Sequence, residues 1–307
     1  MDCLVTGGAG FIGSHLTEAL LSAGHRVRVL DDLSSGAMKN LRGVEGHGAL
    51  SFIEGDVRDM TCVDQAVDGV DAVFHLAALV SVPLSVEAPV RCHAVNGTGT
   101  VHVLDAAMRH KVGRVLFTSS AAVYGDVQSL PVAEDCPPSP LSPYALDKWY
   151  GEEAARLMQR SSEAAVTVFR LFNVYGSRQD PHSPYSGVIS VFMNALENGK
   201  APVIFGDGEQ TRDFVHVSDV VQGFLLALDQ RATGFECFNL AGGSRTSIAE
   251  LWNTAAGLKG LSIPPRFEAA RGGDILHSCA DISRIREALG YQQKVGLAKG
   301  LAMMAGM

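Results

Sequence analysis

The chain has 307 residues, of which 47% are hydrophobic and 19% charged. That is enough apolar side chain for a large core and excludes a disordered or fibrous chain, and its 33 glycines show no three-residue period, which excludes collagen. A formal net charge of −8 with no basic block makes a poor nucleic-acid binder, although a small anionic ligand needs only a few placed cations. The N-terminal residues lack a basic leader, and no apolar run approaches the roughly 20 residues that span a bilayer, so no membrane association is expected. The six cysteines, Cys3, Cys62, Cys92, Cys136, Cys237 and Cys279, are scattered without metal-ligand spacing. Free thiols in the cytoplasm and no metal site are the simplest reading.

From the N-terminus, Asp2–Thr6 reads as a strand, Phe11–Ala23 as a helix ended by Gly24, and Val27–Leu30 as a second strand ending in Asp31 and Asp32. Strand patterns recur at Ala72–His75, Arg114–Phe117 and Ala165–Arg170, with helical stretches near Thr61–Val67, Val101–Lys111 and Pro143–Arg160 between them. Such alternation predicts right-handed βαβ crossovers and a doubly wound, mostly parallel α/β sheet of Rossmann type. Beyond about residue 172 the pattern loosens. Ser177–Ser186 is polar and turn-rich, Val188–Asn198 helical, Val203–Phe205 a short strand, and Ser218–Leu228, Ser247–Leu258 and Ile282–Leu289 helical, with Ser218 and Ser247 as N-caps. The expected organisation is a dinucleotide-binding domain over 1–172 with return segments at about 213–240. A smaller C-terminal lobe, which would bind substrate, takes 173–212 and 241–307.

Between the first strand and first helix, Gly7, Gly10 and Gly13 are spaced GxxGxxG. Glycines here permit a tight turn and close approach of a pyrophosphate to the free N–H groups of a helix N-terminus, or they merely permit close helix packing. The context favours the first reading, because Asp31 follows Gly7 by 24 residues at the end of the second strand. A carboxylate there accepts from ribose hydroxyls and repels a 2′-phosphate, which favours NAD over NADP. Asp32 reads as a solvated loop acid. Asp56 ends another strand-like run and either accepts from the adenine amino group or caps the next turn.

Tyr144 and Lys148 stand four apart at the start of a helix whose N-cap would be Ser142 and whose first residue would be Pro143. A tyrosine of ordinary pKa ~10 is a poor base, but a nearby ammonium and a nicotinamide cation would favour phenolate. Thr118-Ser119-Ser120 follows a strand at its carboxyl end, where open parallel sheets bind ligands. One of these serines can orient a substrate hydroxyl toward the tyrosine.

With Thr6–Gly13, Gly55-Asp56, His75–Ala78, Asn96, Thr118–Gly125, Tyr144–Lys148, Arg170–Gly176 and Gly206–Asp219 in this order, the chain resembles the extended short-chain dehydrogenase/reductases of the nucleotide-sugar epimerase/dehydratase family. The resemblance spans nearly the whole chain. It implies a tightly held, recycled NAD, with Phe11, Ile12, Val57, Leu76, Ala77, Ala78 and Asn96 joining Gly7, Gly10, Gly13, Asp31, Asp56, Tyr144 and Lys148 around it. It also implies Ser120, Tyr144 and Lys148 as the catalytic triad and a homodimer through helices near Val95–Lys111 and Pro143–Arg160, whose apolar faces could equally be core.

Dehydratases of the family carry an Asp-Glu pair just after the threonine of this strand end, and decarboxylating members a glutamate in the same loop. Here Ser119, Ser120, Ala121 and Ala122 stand there, and elimination lacks its second proton-transfer group. The expected reaction is C4 epimerisation of a UDP-hexose through a transient 4-keto sugar. Asn173, Arg212, Arg271 and Asp274 resemble positions that hold the nucleotide, guanidinium being suited to diphosphate. Arg178 is a weaker candidate, and any one of these arginines could instead form a surface salt bridge. Ser278 stands where enzymes restricted to non-acetylated sugars carry a tyrosine, leaving room for a 2-acetamido group. The alternatives are a UDP-uronate 4-epimerase, another nucleotide-sugar oxidoreductase, or a non-catalytic NAD-binding sensor, which should have lost part of the triad.

Overall fold

Ala165–Leu171 is buried at every residue, as a strand covered on both faces must be. In the computed structural model, which describes residues 1–179, 187–230, 233–270 and 275–307, this strand lies near one end of a seven-stranded sheet. Its first strands are β1 (Asp2–Thr6), β2 (Arg26–Asp31), β3 (Leu50–Glu54), β4 (Ala72–His75), β5 (Arg114–Ser120) and β6 (Ala165–Leu171). Farther along the chain β11 (Phe235–Leu240) joins the same sheet, while β7 (Asn173–Tyr175), β8 (Val203–Phe205), β9 (Thr211–Arg212), β10 (Phe214–His216), β12 (Thr246–Ser247) and β13 (Arg266–Glu268) form the two-stranded pairs β10-β7, β12-β9 and β13-β8. The sheet order is β11-β6-β5-β4-β1-β2-β3, parallel throughout. The order reverses between β1 and β4, and the crevice at the carboxyl ends of those strands is where such sheets take ligands.

The helices are α1 (Phe11–Ser22), α2 (Met60–Val67), α3 (Val82–Glu87), α4 (Pro89–His93), α5 (Gly99–Arg109), α6 (Pro143–Gln159), α7 (Val188–Glu197), α8 (Val217–Asp229), α9 (Ile248–Leu258), α10 (Ser283–Leu289) and α11 (Leu297–Met304). One face of the sheet packs on Leu16, Leu20, Val220 and Phe224 of α1 and α8. The other packs on Val63, Val67, Val103, Leu104 and Ala155 of α2, α5 and α6. Phe224 meets Phe74 and Phe169 edge-on at centroid distances of 6.1 and 5.0 Å, joining α8 to β4 and β6. Truncating such a buried phenylalanine to alanine costs roughly 3–5 kcal/mol. A third core gathers Tyr175, Ile189, Phe192, Met193, Trp252 and Leu301 around α7 and α9.

Ser142 caps α6 as expected, its Oγ accepting from Ala145 N at 3.2 Å, and Ser247 caps α9 through Glu250 N at 3.1 Å. Ser218 does not cap α8. The helix starts one residue earlier, and His216 Nδ1 accepts from Ser218 N at 3.3 Å instead. The strand β11, the helices α3 and α11, and the π turn Ala94–Thr98 that runs α4 into α5 are additions to the sequence reading. The exposed apolar side chains include Val86, Val90, Leu146, Tyr150 and Leu157 on α3, α4 and α6. Among the described residues no helix is long and apolar enough to cross a membrane, and all six cysteines are free.

Candidate active site

The turn after β1 requires glycine at positions 7 and 13. Gly7 has φ +71°, and a Cβ there would meet Ala77 N at 2.8 Å, while one on Gly13 would lie 2.1 Å from Gly7 O. The turn, the start of α1 and the loop after β4 therefore touch backbone to backbone. Gly10 is the N-cap of α1, and among the described residues no side chain takes the helix's first N–H groups, which leaves the positive end of the helix dipole for an anion.

Asp31 closes the other side. It is buried, with Oδ2 accepting from Ala9 N and Oδ1 from Leu33 N, both at 2.9 Å. Each oxygen keeps a lone pair for a further donor. Burial pushes the Asp31 carboxyl up, against the bonds from Leu33 and Ala9. A Cβ on Gly36 would lie 2.8 Å from Asp31 Oδ1, so the loop after β2 comes close to the carboxylate through a glycine. The glycine cradle, the open helix N-terminus and the carboxylate at the end of β2 fit a dinucleotide. Asp32 is exposed, and its Oδ1 accepts from Ser34 N and Ser34 Oγ.

Other residues expected at the cofactor have local duties. Asp56 Oδ1 accepts from Arg58 N and Oδ2 from Arg58 Nε, each at 2.8 Å. Val57 is buried against Gly99. Phe11, Ile12, Leu76, Ala77 and Ala78 are half-buried along the turn and the β4 loop. Asn96 is buried and spends its amide on that loop, Oδ1 accepting from Leu79 N at 2.8 Å and Nδ2 donating to Leu79 O at 3.0 Å. These two bonds shape the loop after β4.

At the end of β5 the three serine and threonine hydroxyls separate. Ser119 is buried and donates to Glu152 at 2.5 Å. Ser120 is half-buried, and its Oγ accepts from Ala122 N at 3.2 Å. The Tyr144 hydroxyl is pushed up by burial, and its side-chain hydrogen bond with Ser120 pulls the other way. Lys148 is buried, and Nζ donates to Thr118 O at 2.8 Å. Burial lowers the Lys148 ammonium to about 8, against the upward pull of Cys92, Asp147 and Glu152. The structure thus gathers Ser120, Tyr144 and Lys148 at one strand end. Burial is the largest influence on the Tyr144 hydroxyl within the chain itself, and the expected phenolate depends on a cationic nicotinamide as well as on Lys148.

Asn173, Arg212 and Ser278 meet on the segment 211–213. Asn173 Nδ2 donates to Asp213 O at 3.2 Å, Ser278 N donates to Thr211 O at 3.1 Å, and Arg212 donates to Thr211 O at 2.9 Å. Part of the Arg212 guanidinium is thus spent on main chain. Arg178 is paired to Glu18 of α1 at 2.7 Å, the salt-bridge alternative. Arg271 and Asp274 lie outside the described residues.

Two carboxylates were missed in the sequence reading. Asp213 is fully buried and accepts from Gly242 N at 2.8 Å, Gly243 N at 3.1 Å and Ala280 N at 3.0 Å. Glu152 follows Lys148 by one helical turn, a spacing that was visible in the sequence. Among the described residues no cluster of His, Cys, Asp and Glu could hold a metal.

A parallel sheet with this cradle at its switch point defines a dinucleotide-binding protein of Rossmann type. The profile of the NAD dependent epimerase/dehydratase family matches residues 3–241. The UDP-glucose 4-epimerase of Mycolicibacterium smegmatis is 42% identical over 304 residues, covering 98% of this chain and 96% of its own. The structure of a Thermotoga maritima UDP-glucose 4-epimerase with UDP-glucose superposes with a TM-score of 0.94 at 35% identity, covering 100% and 98% of the two chains. A UDP-N-acetylglucosamine 4-epimerase from Methanobrevibacter ruminantium M1, in complex with UDP-N-acetylmuramic acid, gives 0.93 at 35%, covering 100% and 99%. This chain belongs to the NAD dependent epimerase/dehydratase family, and NAD is its cofactor.

Proposed function

We propose that the protein inverts C4 of a UDP-hexose, using NAD as a recycled cofactor. The observation that carries this reading is the gathering of Ser120, Tyr144 and Lys148 at the end of β5, with no carboxylate at Ser119–Ala122. The similarity to named 4-epimerases over nearly the full chain supports it.

Tyr144 takes the proton of the sugar 4-hydroxyl, and Ser120 hydrogen-bonds the same oxygen. When bound, NAD supplies a hydride acceptor and donor and, in its oxidised form, a positive charge. Lys148 adds a second cation, which helps to lower a tyrosine that burial has raised. The 4-keto sugar then turns about its diphosphate linkage and presents its other face. Tyr144 returns the proton, and C4 is inverted. Binding energy belongs on the nucleotide, which stays fixed while the sugar turns; Asn173, Arg212, Arg271 and Asp274 are the proposed anchors. Ser278 leaves room for a 2-acetamido group, so UDP-GlcNAc and UDP-GalNAc stand beside UDP-glucose and UDP-galactose as substrates. Unpaired cysteines support a cytoplasmic setting, and the apolar side chains exposed on α3, α4 and α6 support a homodimer.

The test is to incubate the purified protein with UDP-GlcNAc or UDP-glucose without added NAD and follow C4 configuration by NMR. Interconversion of at least one is expected, and none with either overturns the reading. Tyr144→Phe should lose at least ~100-fold in kcat; full turnover by that variant overturns the mechanism.

A further inference from the structure

Tyr144, Lys148 and Glu152 recur at four-residue intervals along α6, on one face of the helix. Glu152 is buried to 2% exposure. It accepts from Ser119 Oγ at 2.5 Å and from Arg170 of β6, Nε to Oε1 at 3.0 Å and the terminal nitrogen to Oε2 at 2.7 Å. Arg170 in turn donates to Glu134 O at 3.0 Å and lies 4.7 Å over the Tyr124 ring. One turn earlier, Lys148 holds Thr118 O. The helix that bears Tyr144 therefore grips two consecutive residues of β5, Thr118 and Ser119, and the next residue is Ser120.

We propose that Glu152 is a positioning residue of this active site: its carboxylate locks the Thr118–Ser120 strand end to the helix bearing Tyr144 and Lys148 and supplies negative charge behind Lys148. The proposal rests on the 4-epimerase reading for its consequence in turnover. A buried ion pair is weak evidence for stability and is better attested as a device of specificity, so placement of groups is the natural role for one this close to a reacting centre. Lys148 is surrounded by Asp147 and Glu152 of its own helix, by Cys92 of α4, and by His75 of β4, which burial holds at about 3 and so keeps neutral. Arg170 of β6 lies beyond Glu152 and offsets part of its charge. Burial lowers Lys148 to about 8, and Cys92, Asp147 and Glu152 oppose that fall.

The experiment compares Glu152→Gln with wild type, both full-length and NAD-loaded. Glutamine keeps the shape and one acceptor but loses the charge. Two readouts are followed: kcat and KM for a UDP-hexose across pH, and the titration of Lys148 by 13C NMR of labelled lysine, assigned with Lys148→Met. The expected result is a kcat lower by roughly 10- to 100-fold, with KM within about twofold, and a Lys148 titration shifted downward. Should Glu152→Gln fail to fold, Glu152→Leu with Arg170→Met removes the whole pair in an apolar form, and the same two changes are expected. An unchanged Lys148 titration, or unchanged kcat, in the folded variant overturns the proposal. A wild-type protein that epimerises no UDP-hexose overturns the proposed function instead, and the Lys148 titration still reports on Glu152.

Discussion

Thr6 Oγ1 and His75 Nδ1 lie 2.8 Å apart across the switch point of the sheet, one at the end of β1 and the other at the end of β4. The surrounding bonds fix who donates. Thr6 Oγ1 accepts from Leu76 N and Ala77 N, each at 3.2 Å, so its own proton goes to His75 Nδ1. The proton of His75 is then on Nε2 and is donated to Thr100 Oγ1 at 3.0 Å, which donates to Asn96 O at 2.6 Å. A neutral imidazole thus joins both strand ends and α5 under the dinucleotide crevice.

His75 is accordingly expected to stay neutral, with the Nε2–H tautomer, throughout pH 5–8 in imidazole NMR. Burial lowers it to about 3 from an unfolded value of 6.5. The unfolded chain binds the extra proton first, so this group removes stability as pH falls from about 6.5 toward 3. His75→Ala should cost roughly 2–4 kcal/mol in urea unfolding and release NAD more readily during gel filtration. Wild-type NAD retention in that variant would show that the network does not shape the crevice.

Asp213 carries the opposite sign. Burial raises it to about 6, against the bonds from Ala280, Gly242 and Gly243. The folded chain therefore holds a proton that the unfolded chain has released above its ordinary 3.8. The stability this contributes is present at low pH and is lost as pH rises through about 6. Asp213→Asn should flatten that part of the stability profile between pH 4 and 6, measured by urea midpoint. It should also cost roughly 1–3 kcal/mol at pH 7, since an amide cannot accept all three N–H bonds. A profile with unchanged slope would contradict the assignment.

The exposed side chains on α4 and α6 predict an assembly. Val90 is 83% exposed and Leu146 51%, and His93 and Tyr150, on the same two helices, approach to 5.7 Å between ring centroids. If two chains associate through this face, Val90→Asp with Leu146→Asp should turn a dimer into a monomer in sedimentation velocity, with the far-UV circular dichroism retained. A dimer that survives both charges would place the interface elsewhere.

Much of the Rossmann half was legible in local sequence. The alternation that predicts parallel strands, the GxxGxxG turn, the Ser142-Pro143 helix start and the four-residue step from Tyr144 to Lys148 are all short-range patterns. Local sterics and capping chemistry enforce such patterns whatever the rest of the chain does. The fit of Gly13 to the turn belongs to the same class, since its contacts are with Gly7 and Gly8, whereas Gly7 also meets Leu76 and Ala77 of the distant β4 loop.

Long-range contacts decided the remainder. Nothing near Ser119 and Ser120 in sequence says which turns inward; Glu152, 33 residues away, takes Ser119, and Ser120 is left to Tyr144. Nothing near Asn96 says that its amide will be consumed by Leu79, and nothing near Asp213 says that glycines 242 and 243 will surround it. The direction of the Tyr144 pKa was also outside local reach. Residue spacing could name Lys148 as its neighbour, but burial depends on everything packed around the hydroxyl. Desolvation is a property of the assembled fold, and only tertiary structure could show how deeply the Tyr144 side chain is buried.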